Sequence, residues 1–138
     1  MGLVFAEIEI VNAEELGMAK RHLMDQDEVK KMKIRVMADS GAWMLCINEN
    51  IQSIMDLSFI RKEKVRLADG QRVEYDVVGD IEIRFGGRRA RCEAMVLPGD
   101  TRPLLGAVPM ELLNLVIHPQ RHELLVSSEL PLLVGIYK

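Results

Sequence analysis

An acidic residue in a turn of small residues is the first candidate for chemistry. Residues 39–42 read Asp-Ser-Gly-Ala, and they separate the apolar runs "IRVMA" and "WMLCI". Asp, Ser and Gly all favour tight turns, so a surface turn is the simplest interpretation. The apolar flanks argue against it, because a carboxylate carried between two buried strands must be paired or hydrogen-bonded. The sequence therefore predicts that Asp39 is a candidate acid–base group.

Two downstream segments complete the pattern. Leu104-Leu105-Gly106 precedes "PMELL", and alone it predicts a core strand that ends at a close backbone approach. Between this segment and Asp39 lies "VRLADGQRVEYDV", in which Asp69-Gly70 is a typical hairpin turn. The pattern is thus an acidic turn, a hairpin and a glycine-terminated apolar strand.

Short strands joined by glycine-containing turns must position these residues. The turns are predicted at Asp69-Gly70, Gly79-Asp80 and Gly86-Gly87. A further hairpin is expected around "HPQR", and "LPLLVGIY" (130–137) is a last apolar segment. The strand predictions are 3–11, 32–38, 41–47, strands around the turns within 63–85, and 90–97. The pattern favours one all-β domain over residues 1–138, a barrel or a sandwich.

Three short helices are predicted between the strands. They cover 13–22 with Asn12 as cap, 48–57 with Asn48 as cap, and 109–115 with Pro109 at the first position. Glu15 follows Asn12 in the spacing of a capping box. The polar stretch 12–31 is either a docking surface or a solvated connection, and we favour the connection.

Composition and charge exclude several function classes. The net charge is −3 and no basic stripe follows the chain, so we expect no nucleic-acid partner. "GGRRAR" is better explained as a hairpin with a solvated face. No run approaches the roughly 20 apolar residues of a membrane helix, and no leader peptide is visible at the N-terminus, so we expect a cytoplasmic protein without a membrane partner.

The remaining reactive side chains give weaker signals. Cys46 and Cys92 have no metal or redox spacing and are expected to be buried free thiols. His118 and His122 flank a short turn, but a zinc site would need two further ligands that the sequence does not nominate. We therefore expect no metal and no cofactor.

The order of these segments resembles the retropepsin-like aspartic proteases, the retroviral proteases and their single-domain bacterial relatives. The resemblance covers roughly residues 32–126. "MADSGAWMLCI" is similar to the catalytic Asp-Thr/Ser-Gly-Ala element, and "RPLLGAVPMELL" to the hydrophobic-hydrophobic-Gly element with its helix. "VRLADGQRVEY" stands where the family has its flap. The implied fold is an all-β, retropepsin-like closed barrel with a flap hairpin and one or two short helices.

The resemblance also implies an activity, aspartic endopeptidase, carried by a water molecule between two carboxylates. A single Asp-Ser-Gly supplies half of such a site, so the implied assembly is a C2 homodimer with an extended peptide or protein substrate. The apolar segments 3–10 and 130–137 are its candidate interface strands. The implied catalytic residues are Asp39, Ser40 and Gly41, and the implied substrate-binding residues are Ala42, Ala68, Asp69, Gly70, Gln71, Leu104 and Leu105.

Alternatives remain open at this point. The chain departs from the family in having Ser after Asp39, which keeps the hydroxyl, in a flap tip with one glycine, and in the longer connection 12–31. Leu104 and Leu105 could equally be core residues. Trp43 is better explained by packing than by substrate contact. The rival function is a non-catalytic module of the same fold that binds peptides or serves as a scaffold.

Overall fold

The computed structural model describes residues 3–127, and about 50% of them lie in strands and 19% in helices. The chain is therefore mostly β, as predicted. The strands are β1 (Phe5–Asn12), β2 (Lys31–Ala38), β3 (Leu45–Asn48), β4 (Ser58–Arg66), β5 (Arg72–Phe85), β6 (Arg88–Leu97), β7 (Leu104–Leu105), β8 (Leu115–His118) and β9 (Glu123–Val126). The α-helices are α1 (Ala13–Lys20), α2 (Glu49–Met55) and α3 (Ala107–Leu112), and a short 3-10 helix covers Gln26–Glu28.

Six of the strands pair into a closed ring. The sheet order is β1-β2-β7-β3-β6-β5-β4, and an additional β1–β5 pairing joins the ends of the first six. β4 lies outside the ring and pairs only with β5 within the described chain. β8 and β9 form a separate hairpin, as the sequence predicted around "HPQR".

Alternating apolar residues fill the interior of the ring. Ile8 and Ile10 on β1, Val36 on β2 and Ile83 on β5 are almost fully buried. All four residues of β3 are buried, because this strand is flanked on both edges and covered on both faces. Burial of this aliphatic set is the main stabilising contribution, since the chain has few aromatic residues to add to it.

The predicted turn at Gly79-Asp80 is wrong. β5 runs continuously through it, and the pairing register with β6 changes between Val78 and Ile81. The register with β4 changes just before this point, opposite Val77 and Val78. Ser58 on β4 pairs with Gly79, whereas Asn12 on β1 pairs with Ile81. Along this edge of β5 the partner strand therefore changes from β4 to β1 at the bulge. A Cβ at position 79 would lie 3.1 Å from Ile60 Cδ1, a tight contact with the end of a side chain.

The helix caps agree with the sequence for two helices and differ for the third. Asn12 accepts from the backbone N–H of Glu15, and Asn48 accepts from that of Ile51. α3 begins at Ala107, two residues earlier than predicted, because Gly106 serves as its cap. Pro109 is therefore the third helical residue, where its missing N–H still costs no intrahelical hydrogen bond.

The connection 12–31 is held by a charged contact. Glu15 Oε1 accepts from the backbone N–H of Lys30 at 2.8 Å, and its Oε2 accepts from Lys30 Nζ at 2.8 Å. The Asn12 N–H donates to the Lys30 carbonyl, so the second half of the expected capping box is replaced by this pairing. Burial alone would raise the pKa of Glu15, but the Lys30 contacts lower it below its ordinary value.

The two candidate interface segments have different outcomes. Val4, Ile8 and Ile10 of segment 3–10 pack into the chain's own core, whereas Leu3 is 59% exposed. β1 pairs with β2 and, from Glu9 onward, also with β5, so within β1 the stretch 5–8 keeps one edge without a partner strand among the described residues. The segment 130–137 lies outside the described residues. No helix among residues 3–127 is long and apolar enough to cross a membrane.

Candidate active site

A strand inserted between two sequence neighbours builds the frame of the site. β2 and β3 follow one another along the chain, yet β7 lies between them. β7 is parallel to β2 through Met37–Leu104 and antiparallel to β3 through Leu45–Leu105. The chain that connects β2 to β3 must therefore pass around the end of β7. This connection contains Asp39, Ser40, Gly41 and Ala42.

Hydrogen bonds fix this connection against α3. The carbonyls of Ala42 and Trp43 accept from the N–H groups of Ala107 and Val108, the first two residues of the helix, at 2.8 and 3.0 Å. These donors have no partner inside the helix, so the connection caps it. The strand predicted for 41–47 is thus too long: β3 begins at Leu45, because the preceding carbonyls are used by α3.

Gly106 permits this close contact. A Cβ at position 106 would lie 2.4 Å from the Met44 carbonyl oxygen and 2.8 Å from that of Ala42. Both neighbours are backbone atoms and cannot rotate away. The glycine of Leu-Leu-Gly is therefore required by packing against the Asp39 connection, and the two sequence motifs are in direct contact.

Asp39 is anchored at its backbone and half-buried at its side chain. Its N–H donates to the Leu105 carbonyl at 3.0 Å, and its carbonyl accepts from the Ala42 N–H at 3.0 Å. Oδ1 accepts from the Gly41 N–H at 2.9 Å. Among residues 3–127, no hydrogen bond reaches Oδ2, so one carboxylate oxygen is available for a proton or a ligand.

Gly41 and Ser40 differ in what they contact. A Cβ at position 41 would lie 3.2 Å from Asp39 Oδ1, so glycine allows the N–H to approach the carboxylate. Ser40 is exposed and lines a pocket of about 370 Å³ together with residues of α3 and β8, among them Met110 and Leu115. The hydroxyl of Ser40 therefore faces away from the core.

The β4–β5 hairpin covers the other side of the connection. Between them lies a cavity of about 500 Å³, which we call the cleft. The Asp39 connection contributes Gly41 and Ala42 to it, while Asp39 itself is not one of its lining residues. The hairpin contributes residues 63–67 and Tyr75, and the floor includes Met44, Cys46, Met95 and Leu97. The cleft walls are mainly apolar, with charged residues at the rim.

The hairpin tip has a tight turn at the predicted position. The Leu67 N–H donates to the Gln71 carbonyl at 2.7 Å, and the Asp69 carboxylate accepts from the Gln71 N–H at 2.9 Å. Gly70 has a φ of 89°, which favours glycine. Ala68, Asp69, Gly70 and Gln71 are all exposed and lie outside the lining of the cleft.

Leu104 and Leu105 point in opposite directions. Strand alternation places Leu105 in the core, where it is fully buried, and leaves Leu104 half-buried on the other face. Only Leu104 is accessible to a ligand. The sequence alone could not separate the two, because their side chains are identical.

Neither cysteine is suited to nucleophilic chemistry. Cys46 lies in the floor of the cleft, and burial, followed by the charge of Asp39, raises the pKa of its thiol to about 11. Burial, with the charges of Asp80 and Glu93, raises the pKa of Cys92 to about 12. Both are free thiols. At neutral pH the Cys46 thiolate is present in about one molecule in ten thousand.

The histidines lie away from the cleft. His118 Nδ1 accepts from the Arg121 N–H within the β8–β9 turn. No group of three or more His, Cys, Asp or Glu within residues 3–127 is placed to hold a metal ion. Within the described chain, Asp39 therefore keeps one carboxylate oxygen free of hydrogen bonds beside the cleft, and the rim residue Glu63 likewise uses only Oε2, which accepts from Arg61 Nε at 3.1 Å.

Several cleft residues were missed from the sequence. Val65, Leu67 and Tyr75 line the cleft, while our sequence analysis assigned 65–75 to the flap and named only its tip as substrate-binding. A signal for them existed, because Glu63, Val65 and Leu67 alternate with basic residues on β4 and so share one face. Trp43, 74% exposed, also lines the cleft, so it does not pack in the core, and its packing at an interface between subunits stays a prediction.

Comparison with known proteins does not assign this chain to a family. A scan against protein-family models and a search of curated proteins both found no match to this chain. The assignment of function therefore depends on the geometry described above.

Proposed function

We propose that this protein is an aspartic endopeptidase of the retropepsin-like type, active as a homodimer. One observation carries the proposal. The Asp-Ser-Gly connection and the Leu-Leu-Gly strand, 65 residues apart in the sequence, are hydrogen-bonded together beneath a hairpin that encloses an apolar cleft. This is the arrangement that the resemblance implies for residues 32–126.

The closed ring of six strands supports the retropepsin-like barrel. Its closure through β1 and β5 leaves the β4–β5 hairpin extending beyond the ring. A hairpin of this kind can open and close over an extended peptide, with β4 or β5 adding main-chain hydrogen bonds to the substrate. In this role residues 67–71 form the tip of the flap.

The chemistry needs two carboxylates that share one proton. The ionised carboxylate takes a proton from water as the water oxygen attacks the scissile carbonyl carbon. The protonated carboxylate donates a hydrogen bond to the carbonyl oxygen, and the tetrahedral intermediate breaks its C–N bond when the nitrogen accepts a proton. Asp39 supplies one carboxylate, and its free Oδ2 suits either role.

The second carboxylate must come from a second copy of the chain. The exposed Ser40 and the pocket beside α3 and β8 lie next to Asp39 and suit an isologous contact across a twofold axis. The pocket lining combines the apolar Met110 and Leu115 with the polar Glu111 and Asn114. Ser40 would then hydrogen-bond across the axis and hold the two connections together.

The cleft indicates apolar side chains beside the cleaved bond. Val65, Leu67 and Met95 provide aliphatic and thioether walls, and Trp43 provides an exposed aromatic surface. A substrate side chain buried there would gain about 1.5–3 kcal/mol of transfer free energy. The charged rim residues Glu63 and Arg66 are placed to contact the peptide backbone or its neighbouring side chains.

The test is cleavage of a diverse peptide mixture, read by mass spectrometry. Wild-type protein and Asp39→Asn are incubated side by side at a concentration at which sedimentation establishes a dimer. We expect cuts beside apolar residues for the wild type and at least a thousandfold loss for Asp39→Asn, because an amide can neither accept the water proton nor share a proton with its partner. The rate should follow a bell-shaped pH profile.

Thermal unfolding is the control, since Asn is isosteric with Asp and should preserve the fold and the Gly41 contact. Cleavage that survives Asp39→Asn would exclude this site. A folded dimer that binds peptides without cutting any of them would identify the rival function, a peptide-binding module of the same fold.

A further inference from the structure

A pair of arginines lies on the same side of the sheet as Asp39. Arg35 and Arg102 both contact the ring of Phe5. The guanidinium carbon of Arg35 lies 4.6 Å from the ring centroid, and that of Arg102 lies 5.0 Å from it. The three side chains line a pocket of about 430 Å³, which we call the arginine pocket. Cation–π contact with the ring holds each guanidinium and leaves its N–H edge available to a ligand.

Strand alternation connects this pocket with Asp39. Ile34 and Val36 are buried, so Arg35 and Met37 point to the opposite face of β2, and Asp39 follows in the same alternation. Four residues separate Arg35 from Asp39, roughly 13 Å of strand. An extended peptide running through the site from Asp39 would therefore reach the arginine pocket after about four residues.

Neighbouring strands complete the pocket at the same level. Phe5 lies opposite Met37 in the antiparallel pairing of β1 with β2. Leu104 lies beside Met37 on the other edge of β2. Because β7 is parallel to β2, Arg102, two residues before Leu104, lies at the level of Arg35, two residues before Met37. Arg102 Nη1 also contacts Met37 Sδ at 3.8 Å. The partly exposed Leu104 thus joins the arginine pocket to the region next to Asp39.

The charge of the arginine pocket is not compensated within the described chain. Arg35 and Arg102 are both exposed, and none of the ion pairs among residues 3–127 includes either of them. Glu7 lies opposite Arg35 in the β1–β2 register but makes no ion pair with it. Because both guanidiniums lie within 5.0 Å of one ring centroid, they are no more than about 10 Å apart and repel each other.

We propose that the arginine pocket binds a carboxylate of the peptide substrate, from an Asp or Glu side chain or from the chain terminus, a few residues from the cleaved bond. Guanidinium groups present paired N–H donors that match a carboxylate, and a bound anion would relieve the repulsion between the two cations. The assignment of the ligand as a substrate rests on the proposed endopeptidase function. The protein would then select apolar residues in the cleft and an acidic group beyond them.

Matched peptides test the selectivity. A peptide that the wild type cuts is resynthesised with Glu or Gln at each of the four positions on either side of the bond, and kcat/KM is measured for every pair. We expect a preference for Glu of about tenfold at one or two positions, because charge-assisted hydrogen bonds at a partly exposed site contribute this much. Raising the salt concentration should reduce the preference.

Arg102→Gln should reduce the Glu-to-Gln ratio to about twofold or less. Arg89→Gln is the matched control, since it removes the same charge from an exposed arginine outside the pocket that forms no ion pair within the described chain. We expect Arg89→Gln to show the same ratio of kcat/KM for the Glu and Gln peptides as the wild type. Comparing ratios within each variant removes any general effect on activity, and thermal unfolding checks the fold of both.

A second arm distinguishes the sources of the carboxylate. Peptides ending in a free carboxylate or in an amide, two to five residues beyond the bond, are compared in the same way. A preference for the free acid that Arg102→Gln removes identifies the terminus, whereas a preference for internal Glu identifies a side chain. No preference in either arm, or a preference that Arg102→Gln retains, overturns the proposal.

Binding separates this proposal from the endopeptidase function. If no peptide is cut, fluorescence anisotropy of labelled Glu and Gln peptides is measured on the wild type and on Arg102→Gln. Binding of the Glu peptide that is about tenfold tighter and depends on Arg102 supports the arginine pocket even though the protease proposal has failed. Equal binding of the two peptides overturns it.

Discussion

At the scale of single residues, Gly106 is the most constrained position in the site. Its φ of −83° is open to any residue, so only the lack of a side chain explains glycine there. Gly106→Ala would place Cβ 2.4 Å from the Met44 carbonyl oxygen. We expect the free energy of unfolding in urea to fall by about 2–4 kcal/mol, because two backbone segments must separate. Cleavage should fall with it, since the displaced segment carries Asp39.

Gly17 provides the control for the same substitution. It lies inside α1, and a Cβ there meets nothing within 4 Å. Gly17→Ala should raise the free energy of unfolding by roughly 0.5–1 kcal/mol, because alanine loses less backbone entropy in a helix. If Gly106→Ala were as stable as the wild type, the close contact between α3 and the Asp39 connection would be refuted.

At the scale of elements, the sequence predicted local features such as caps and turns, but it did not predict which strands pair with one another. The caps Asn12 and Asn48, and the Asp69-Gly70 turn, follow from side-chain chemistry within four residues. The bulge at Gly79-Asp80 has the composition of a turn, but β5 must bend there to reach β1, which only the closed ring requires. The insertion of β7 between β2 and β3 likewise depends on partners far apart in the sequence, such as Met37 and Leu104, which are 67 positions apart. Only the resemblance to a family related the Asp-Ser-Gly segment to the Leu-Leu-Gly segment before the structure was known, because no local sequence rule does so.

The contact between Glu15 and Lys30 ties α1 to the start of β2 and should make stability depend on pH. The pKa of Glu15 is lowered in the folded state, so folding favours its ionised form. Its contribution is complete above the ordinary value of 4.5 and is lost as the pH falls through the lowered pKa. Glu15→Gln should cost about 1 kcal/mol at pH 7, and the difference from wild type should shrink in acid.

Urea unfolding from pH 7 to pH 2.5 measures this difference. Asp27→Asn is the matched control, an exposed carboxylate in the same connection that forms no hydrogen bond within residues 3–127. It should change the free energy of unfolding by less than about 0.5 kcal/mol. A cost of Glu15→Gln that stayed constant into acid would show that the charge of Glu15 does not contribute.

At the scale of the whole molecule, one copy of the fold holds half of the proposed site. Asp39 lies at the edge of the cleft, beside the pocket that Ser40, α3 and β8 form. Activity should therefore need two copies that each carry Asp39. When Asp39→Asn is added to an equal amount of wild type and the subunits exchange, about half of the wild-type chains enter mixed dimers. The cleavage rate should fall to about half, whereas an equal amount of an unrelated protein should leave it unchanged. An unchanged rate after full exchange would mean that one Asp39 is sufficient, and the second carboxylate would then have to be sought within the same chain.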